Sequence, residues 1–325
     1  MSTLYPLKFT PILKEKIWGG QKLNTLLKKN LGTLPNAGES WEISGVGGDD
    51  SVVSNGFLKG NTLNEILEIY MGELVGDKVF QQFGNEFPLL IKFIDANDVL
   101  SIQVHPDDKL SKERHQAFGK TEMWYVMQAD KDASLISGFN QQVNKEQYIE
   151  ALKNDTIESL LANHKVQTGD VFFIPAGRIH AIGQGIMLAE IQQTSDVTYR
   201  IYDFNRKDKN DKTRDLHTDL AIDAIDFSYS KEARTNYSLQ NNQPTEVVNC
   251  DYFKTNIIEF DKTLERDFYG YDSFLIYLCV EGEFDIQYSD QKEAVTIGET
   301  ILIPADLQTI SLIPKSNCKV IEVHL

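Results

Sequence analysis

Apolar residues recur along this chain in two rhythms, and the first of them predicts helices. Over Asn61–Phe83 they return every three or four residues, which is the spacing of one helix face. Val143–His164 is amphipathic in the same way, with apolar anchors that run from Tyr148 to Leu161. Because the surrounding sequence has a different rhythm, we expect two helical insertions, at about residues 61–83 and 143–164.

The second rhythm consists of short apolar or alternating runs bounded by turn residues, and it predicts strands. The strands predicted before residue 210 are Gly38–Ser44, Phe87–Ile94, Leu100–His105, Lys120–Gln128, Val171–Ile174 and Ile186–Phe204. Those predicted after residue 250 are Tyr252–Phe260, Ser273–Val280, Glu283–Tyr288, Thr300–Ile303 and Lys319–His324. Many short strands at this spacing are typical of a sandwich or barrel.

The sequence pattern of one predicted strand occurs twice in the chain. Gly169–Pro175 reads G-D-V-F-F-I-P, and Gly298–Pro304 reads G-E-T-I-L-I-P. The apolar segments that precede the two copies also match in style, so the chain is expected to contain two copies of one β-unit. The second copy has Thr309 where the first has His180, and we therefore expect the second unit to be structural, without a metal site.

The stretch between the two units suggests where they divide. Glu232–Pro244 is polar and rich in Asn and Gln, which makes it the best linker candidate. We predict a mainly β chain whose first domain, residues 1–235, carries the chemistry and both helical insertions. Residues 245–325 form the second, degenerate β domain. Lys207–Arg214 is expected to be a charged turn.

Composition narrows the possible partners. The chain has 325 residues, 41% of them hydrophobic, and a net charge of −16, which disfavours binding to nucleic acid or to an anionic membrane. An anionic ligand would need a local cluster of Lys or Arg. The three scattered cysteines predict no disulfide framework. No apolar leader or membrane-length segment is visible in the sequence, so we expect a cytoplasmic protein.

The first copy of the repeat presents a histidine at a strand end. The apolar run stops at Pro175, the chain turns at Gly177, and His180 follows. A lone histidine in this position is most often a packing residue. Its meaning therefore depends on whether other ligand-type side chains converge on it.

Such side chains exist on two other predicted strands. Side chains alternate along a strand, so Gln103 and His105 share one face, and Glu122 shares a face with Lys120. Two imidazoles with carboxylate and amide oxygens suit a borderline divalent ion such as zinc. The alternative is a set of isolated structural polar residues. It is less favourable because burying such groups without partners costs several kcal/mol.

The motifs themselves resemble a known family. Gly169–His180 matches the second cupin motif, G-x5-P-x-G-x2-H, and Gln103-Val-His105 with Glu122 resembles a modified first motif. S-I-Q-V-H-P, G-K-T-E-M-W-Y and S-D-V-T-Y-R together resemble type I mannose-6-phosphate isomerases. G-E-S-W-E-I-S and L-L-I-K-F-I-D-A resemble their short bacterial branch. The resemblance runs from about residue 5 to the C-terminus and implies two cupin-type jelly-roll β-barrel or sandwich units.

The resemblance also implies an activity and its residues. It implies one zinc ion per chain and interconversion of mannose 6-phosphate and fructose 6-phosphate through an enediol. The implied metal ligands are Gln103, His105, Glu122 and His180. Gln103 remains open as a substrate contact instead. Lys120 and Arg200 fall on active-site positions, and Ser101 falls on a position that contacts phosphate.

Further candidates come from the residues themselves. Asp196 shares strand parity with Arg200 and would either orient its guanidinium or form a structural ion pair with it. Arg178 and Lys92 are basic residues near the predicted site and are candidates for phosphate contacts. Either could equally be a solvated charge. Glu190 has no clear orientation, whereas Trp41 is expected to be a packing residue.

Three questions stay open at this level. The proton-transferring base is Lys120, a histidine or a metal-bound water, and a neighbouring cation that lowers the pKa of Lys120 favours the lysine. The rival functions are a metal-dependent cupin oxygenase and a non-catalytic sugar-binding cupin. The oligomeric state is not readable from sequence, although we favour a monomer.

Overall fold

The computed structural model describes residues 4–207 and 211–325. The strands of its first part are β1 (Leu7–Thr10), β2 (Ile12–Lys14), β3 (Glu39–Ile43), β4 (Val52–Val53), β5 (Leu89–Ala96), β6 (Ile102–Val104), β7 (Glu122–Ala129), β8 (Ser134–Phe139), β9 (Leu161–Lys165), β10 (Val171–Ile174), β11 (His180–Ala181), β12 (Ile186–Gln193), β13 (Tyr199–Tyr202) and β14 (Arg234–Thr235). The later strands are β15 (Gln243–Asn249), β16 (Lys254–Phe260), β17 (Leu264–Asp267), β18 (Leu275–Glu281), β19 (Glu283–Tyr288), β20 (Gln291–Thr296), β21 (Thr300–Ile303), β22 (Thr309–Pro314) and β23 (Cys318–His324). The helices are α1 (Lys22–Thr25), α2 (Leu63–Val75), α3 (Asp77–Phe83), α4 (Asp108–His115), α5 (Lys145–Lys153) and α6 (Thr218–Ala224), with a 3₁₀ turn at Ile157–Leu160.

These strands form two β-sandwiches that share a core. The first pairs a seven-stranded sheet, ordered β14-β10-β7-β12-β5-β3-β2, with a five-stranded sheet, β13-β6-β11-β8-β9. The second pairs a seven-stranded sheet, β15-β16-β23-β18-β21-β1-β4, with a four-stranded sheet, β17-β22-β19-β20. One apolar cluster contains residues of both seven-stranded sheets, so these two sheets pack against each other. The predicted mainly β fold of two units with inserted helices is confirmed.

The central strands of the first sandwich are covered on both faces. Every residue of β5 and of β12 is buried. This explains their near-continuous apolar sequences, since neither face meets water. Polar residues in these strands, such as Lys92 and Glu190, must therefore find partners inside the protein.

The internal repeat is confirmed as a structural repeat. Strand β10 pairs antiparallel with β7, with Phe172 opposite Trp124. Strand β21 pairs antiparallel with β18 in the same way, with Ile301 opposite Tyr277. The two copies thus occupy corresponding places, one in each seven-stranded sheet.

The first predicted helical insertion is two helices. A capping box at Thr62 begins α2, whose backbone kinks at Met71, where φ is 46°. The helix ends at Gly76, which has a φ of 96° and lies so close to the backbone of Asp272 that a Cβ atom would clash with it. The single helix predicted over Asn61–Phe83 is therefore divided at this glycine.

The second predicted insertion is helical only in its first half. Helix α5 begins after the N-cap Asn144 and ends at Asn154. The prediction is wrong beyond that point, because Leu161–Lys165 is strand β9, paired with β8. Pairing with a neighbouring strand has overridden the helical spacing of the apolar residues.

The linker region and the N-terminus join the sheets. Within Glu232–Pro244, Arg234–Thr235 pairs with β10 as strand β14. Strand β1, at the start of the chain, pairs with β21 of the second unit. The division into residues 1–235 and 245–325 stays a prediction.

The predicted charged turn over residues 207–214 lies partly outside the described residues. None of the described helices is long and apolar enough to cross a membrane.

Candidate metal centre and cavity

Four strands bring the predicted metal ligands together. Glu122 begins β7 and lies opposite Ile174, the last residue of β10. After Ile174 the chain bends and enters β11 in the other sheet, where His180 lies opposite Gln103 of β6. The bend uses Gly177, whose φ is 87°. It therefore carries His180 from one sheet of the sandwich to the other.

The bend is also tied to the second histidine. The backbone N–H of Gly177 donates to the carbonyl of His105 at 2.9 Å. The His105 Nε2 atom is 3.5 Å from Glu122 Oε2, and the His180 Nε2 atom is 3.4 Å from Glu122 Oε1. One ligand atom from each of these three residues lies within 4.8 Å of the others, and all three side chains are buried. The predicted convergence is present.

Both imidazoles point the same kind of nitrogen at this centre. The Nδ1 of His105 bonds to the carbonyl of Val197 at 3.0 Å, and the Nδ1 of His180 bonds to the carbonyl of Arg178 at 2.8 Å. A carbonyl can only accept, so each Nδ1 carries the proton. Each Nε2 is then unprotonated and presents its lone pair to the centre, which is the orientation found in metal-binding histidines.

The carboxylate at the centre has an unpaired oxygen. Glu122 is fully buried, yet its Oε1 atom accepts no hydrogen bond from the described residues. Burial and the nearby charge of Glu190 raise the pKa of Glu122 to about 7. Burial lowers the pKa of His180 to about 3. Neutral imidazoles beside an under-bonded carboxylate fit a divalent cation, which supplies the missing positive charge.

Gln103 contacts the centre at its edge. Its Nε2 atom is 3.2 Å from the Nε2 atom of His180, and its side chain lines an adjoining cavity. An amide in this place can turn its oxygen toward an ion or toward a bound substrate. Its assignment as a ligand stays a prediction.

The adjoining cavity has a volume of about 300 Å³. Of the predicted site residues, those that line it are Lys92, Ser101, Gln103, Lys120, Asp196 and Arg200. Its other lining residues are Lys16, Trp18, Glu39, Trp41, Ile94, Leu100, Ile182, Glu190, Thr198 and Arg214. The cavity is polar and charged around a few apolar walls, which suits a small polar ligand.

A chain of buried charges connects the cavity to the metal centre. Glu190 is 3.2 Å from the Lys92 amine and 4.0 Å from the Lys120 amine, and it accepts a hydrogen bond from Trp124 Nε1 at 2.9 Å. Burial opposes ionisation of Glu190, but Lys120 and Lys92 outweigh it and lower its pKa to about 2. Glu190, whose orientation the sequence left open, is thus an ionised group on the cavity wall.

Lys120 bridges the two regions. Its amine donates to Glu122 Oε2 at 2.6 Å and lies 3.1 Å from His105 Nε2. Burial alone would lower its pKa, yet the carboxylates of Glu122 and Glu190 outweigh burial and raise it. The lowering expected from the sequence assumed a bound divalent cation beside the amine, so it stays a prediction.

One predicted substrate contact lies away from the cavity, and one suggested pairing is not formed. Arg178 does not line the cavity, and its guanidinium donates to the carbonyl of Phe173 at 2.8 Å. The residue instead contacts the site through its own carbonyl, which orients His180. No ion pair joins Asp196 to Arg200 within residues 4–207 and 211–325, and Arg200 donates to the carbonyl of Asp215 at 2.9 Å.

Several cavity residues escaped the sequence analysis. Trp41 was expected to pack in the core, yet it lines the cavity and stacks against the Lys92 amine. Strand parity could have found it, because Glu39 and Trp41 share one face of β3. Glu42 points to the opposite face, where it binds Lys29 at 2.7 Å. Lys16 and Arg214 come from loops, for which strand parity gives no signal.

The chain is similar to phosphomannose isomerases at every level of comparison. Residues 6–132 match the model of the phosphomannose isomerase type I catalytic domain, and residues 243–325 match the mannose-6-phosphate isomerase cupin domain. The chain is 35% identical to mannose-6-phosphate isomerase ManA of Bacillus subtilis, over 97% of this chain and 98% of that one. It is 34% identical to the mannose-6-phosphate isomerase of Streptococcus mutans, over 94% of each.

Comparison of the fold with solved structures also points to phosphomannose isomerases. The crystal structure of the mannose 6-phosphate isomerase from Bacillus subtilis superposes with a TM-score of 0.88 at 31% identity, covering 98% of this chain and 99% of that one. The superposed residues include both sandwiches. The chain belongs to the type I phosphomannose isomerase family.

Proposed function

We propose that this chain is a zinc-dependent isomerase that interconverts mannose 6-phosphate and fructose 6-phosphate. The observation that supports this most is the union of two features. A buried centre of two imidazoles and an under-bonded carboxylate lies beside a charged cavity of about 300 Å³. A metal-dependent reaction on a small anionic sugar needs both.

The metal centre would hold one zinc ion per chain. His105, Glu122 and His180 would bind it, with Gln103 as a fourth ligand or a substrate contact. This mixture of nitrogen and oxygen donors suits zinc, and with three or four protein ligands it leaves room for a substrate oxygen. When bound, the ion supplies Lewis acidity to the oxygens on C1 and C2 of the sugar.

Two cations of the chain act on the charge that develops during the reaction. Aldose–ketose isomerisation moves a proton between C1 and C2, and the enediol intermediate carries negative charge on its oxygens. The Lys120 amine and the Arg200 guanidinium both line the cavity and would stabilise that charge. Lys120 is also the candidate for the group that carries the proton, because it lies closest to the metal ligands.

The remaining cavity residues would hold the substrate. Asp196 offers a carboxylate to the sugar hydroxyls, Ser101 offers a hydroxyl to the phosphate, and Lys92, fixed by Glu190, supplies a buried amine. Trp41 forms part of the cavity wall beside them and presents an apolar surface to sugar carbons. Fixing the open-chain sugar in this way orients C1 and C2 toward the catalytic groups.

A coupled assay with mannose 6-phosphate tests the proposal. The purified protein is expected to form fructose 6-phosphate, to lose this activity after treatment with a chelator, and to regain it with zinc. Parallel additions of iron, manganese and cobalt rank zinc against the other ions. If no isomerisation appears after zinc is restored, the proposal is wrong.

The role of Arg200 has a separate test. Arg200→Ala is expected to abolish turnover while the metal content stays near one ion per chain, because Arg200 lines the cavity without binding the ion. Near-normal kcat in this variant would contradict the role. The cytoplasmic location and the monomeric state stay predictions, and light scattering of the purified protein reads the latter.

A further inference from the structure

The cavity carries an excess of positive charge in a strongly acidic protein. Five basic and three acidic side chains line it, whereas the chain as a whole has a net charge of −16. Two of the five bases are paired within the cavity: Lys16 with Glu39 at 3.1 Å, and Lys92 with Glu190 at 3.2 Å. A third, Lys120, is paired with Glu122 of the metal centre. The other two basic residues of the cavity are Arg200 and Arg214.

Arg200 has no carboxylate partner among the described residues. Its Nη1 atom donates to a backbone carbonyl, that of Asp215, and its Nε atom is buried without a hydrogen-bond partner. A half-buried guanidinium with an unsatisfied N–H is a costly arrangement for the protein alone. An anionic ligand in the cavity would satisfy it.

Arg214 has a carboxylate partner, but it shares this partner with another arginine. Its Nε and Nη2 atoms donate to the two oxygens of Asp203 at 2.8 and 2.5 Å. Arg206 donates to the same carboxylate at 2.5 Å. Arg206 also has a second carboxylate, Asp98, at 3.6 Å, whereas Arg214 has Asp203 alone among the described residues. The pair with Asp203 does not use Nη1 of Arg214, while the side chain lines the cavity.

The two arginines act on each other. Burial and the charge of Arg214 both lower the pKa of Arg200. Two like charges that line one cavity destabilise it when it is empty, and a dianion bound beside them would remove the repulsion. Guanidinium groups bind phosphate oxygens in bidentate fashion, so a phosphoryl group is the anion they suit best. The hydroxyls of Ser101 and Thr198 lie on the same cavity wall.

We propose that Arg214, held by Asp203 beside Arg200, binds the phosphoryl group of the sugar phosphate and so selects phosphorylated over free hexoses. This inference rests on the proposed function for its substrate, but not for its ligand chemistry. Arg214 touches the anion itself, whereas Asp203 is a positioning residue that fixes the direction of the guanidinium.

The test compares Arg214→Gln with Arg206→Gln. Both changes remove a guanidinium from the same carboxylate, but Arg206 does not line the cavity and serves as the matched control. Each protein is assayed for isomerisation of mannose 6-phosphate and, by calorimetry, for binding of inorganic phosphate. Thermal melts establish whether the variants are folded. If Arg214→Gln is unfolded, Arg214→Lys is compared with Arg206→Gln in its place.

Arg214→Gln is expected to raise KM, and the Kd for inorganic phosphate, about 10- to 100-fold, as for loss of a hydrogen bond to a charged group. Its kcat should stay within about threefold, because losing a contact that is equally strong in the ground state and the transition state raises KM alone. Arg206→Gln should change KM and Kd by less than about threefold. Arg214→Lys should fall between Arg214→Gln and the wild type, since it keeps the charge but loses the bidentate geometry.

Three results would overturn the inference: an unchanged phosphate Kd in Arg214→Gln, an equal loss in Arg206→Gln, or a fall in kcat with KM unchanged. The two proposals fail separately. A wild-type protein that binds phosphate through Arg214 without isomerising sugars contradicts the proposed function alone. A protein that isomerises with Arg214 replaced at unchanged KM contradicts this inference alone.

Discussion

The two β-units of this chain have matching strands but different interiors. In the first unit Glu190 of β12 lies opposite Trp124 of β7. In the second, Glu322 of β23 lies opposite Tyr277 of β18, in the corresponding register. Each carboxylate is buried and accepts a hydrogen bond from the facing aromatic side chain. The repeat therefore preserves a buried glutamate–aromatic pair as well as a backbone.

The units differ in how they balance that buried charge. Glu322 binds Arg266 at 2.7 Å, the Tyr277 hydroxyl at 2.6 Å and the Asn256 amide at 3.0 Å. Burial opposes ionisation of Arg266, but Glu322 outweighs it and raises the arginine's pKa. The second unit thus satisfies its carboxylate internally. The first unit balances Glu190 with Lys92 and the Trp124 indole instead. It also contains a further buried carboxylate, Glu122, whose Oε1 is unpaired, and it opens onto a cavity.

The strand register identifies which residues of the second unit stand in place of the predicted metal ligands. Ile174 lies opposite Glu122, and the corresponding Ile303 lies opposite Leu275. Thr309 stands where the first unit has His180. The bend and the strands fold without these ligands, so neither residue type is required by the scaffold. The difference teaches that the strand pairing of the β-unit does not depend on the residues of the metal centre.

The largest expected effect is loss of the metal from the first unit. Glu122→Gln keeps the volume but removes the charge, and we expect the metal content to fall close to zero and turnover to fall more than about 100-fold, the upper range for residues that only support metal ligands. Elemental analysis and the coupled assay measure both. Glu322→Gln makes the same chemical change at the buried carboxylate of the second unit and should keep metal and turnover. A similar loss there would remove the distinction between the units.

The second largest effect is expected on the free energy of unfolding, from a change in the second unit. Arg266→Met leaves Glu322 buried without its cation and is expected to lower the free energy of unfolding by about 3–5 kcal/mol. Urea denaturation measures this loss. Metal content should stay near one ion per chain. A loss below about 1 kcal/mol would show that Arg266 behaves as a surface charge.

A smaller effect is expected from the aromatic partner. Tyr277→Phe removes the hydroxyl that donates to Glu322, and should cost about 1.5–3 kcal/mol, the range for a hydrogen bond to a charged group. The same denaturation experiment reads it, with Tyr288→Phe as a control whose hydroxyl contacts Gln291 in an exposed setting. Equal losses in the two variants would contradict the special cost of the buried pair.

Much of the centre could be predicted because strand geometry is regular. The i, i+2 rule placed His105 beside Gln103 and Glu122 beside Lys120, and the Pro175–Gly177 bend identified the strand end that carries His180. The internal repeat added a comparison within one chain. These signals are local, and local patterns survive folding when strands are central and covered on both faces.

The rest depended on contacts between distant segments. Arg214 reaches the cavity from a loop that Asp203 fixes in place, and no periodicity announces this. Arg178 follows the bend that aims His180, yet its side chain turns away toward Phe173. The helix predicted over residues 143–164 stops early, and Leu161–Lys165 pairs as an edge strand with β8. In each case tertiary contacts outweighed the local pattern.

One measurement tests the central claim most directly: the number of zinc ions bound per chain in the wild type and in His180→Thr. This substitution gives the first unit the residue that the second unit has at Thr309. We predict one ion per wild-type chain and none in His180→Thr, with both proteins folded. Two ions per wild-type chain, or an ion retained in His180→Thr, would contradict the claim that the first unit alone, through His180, holds the metal.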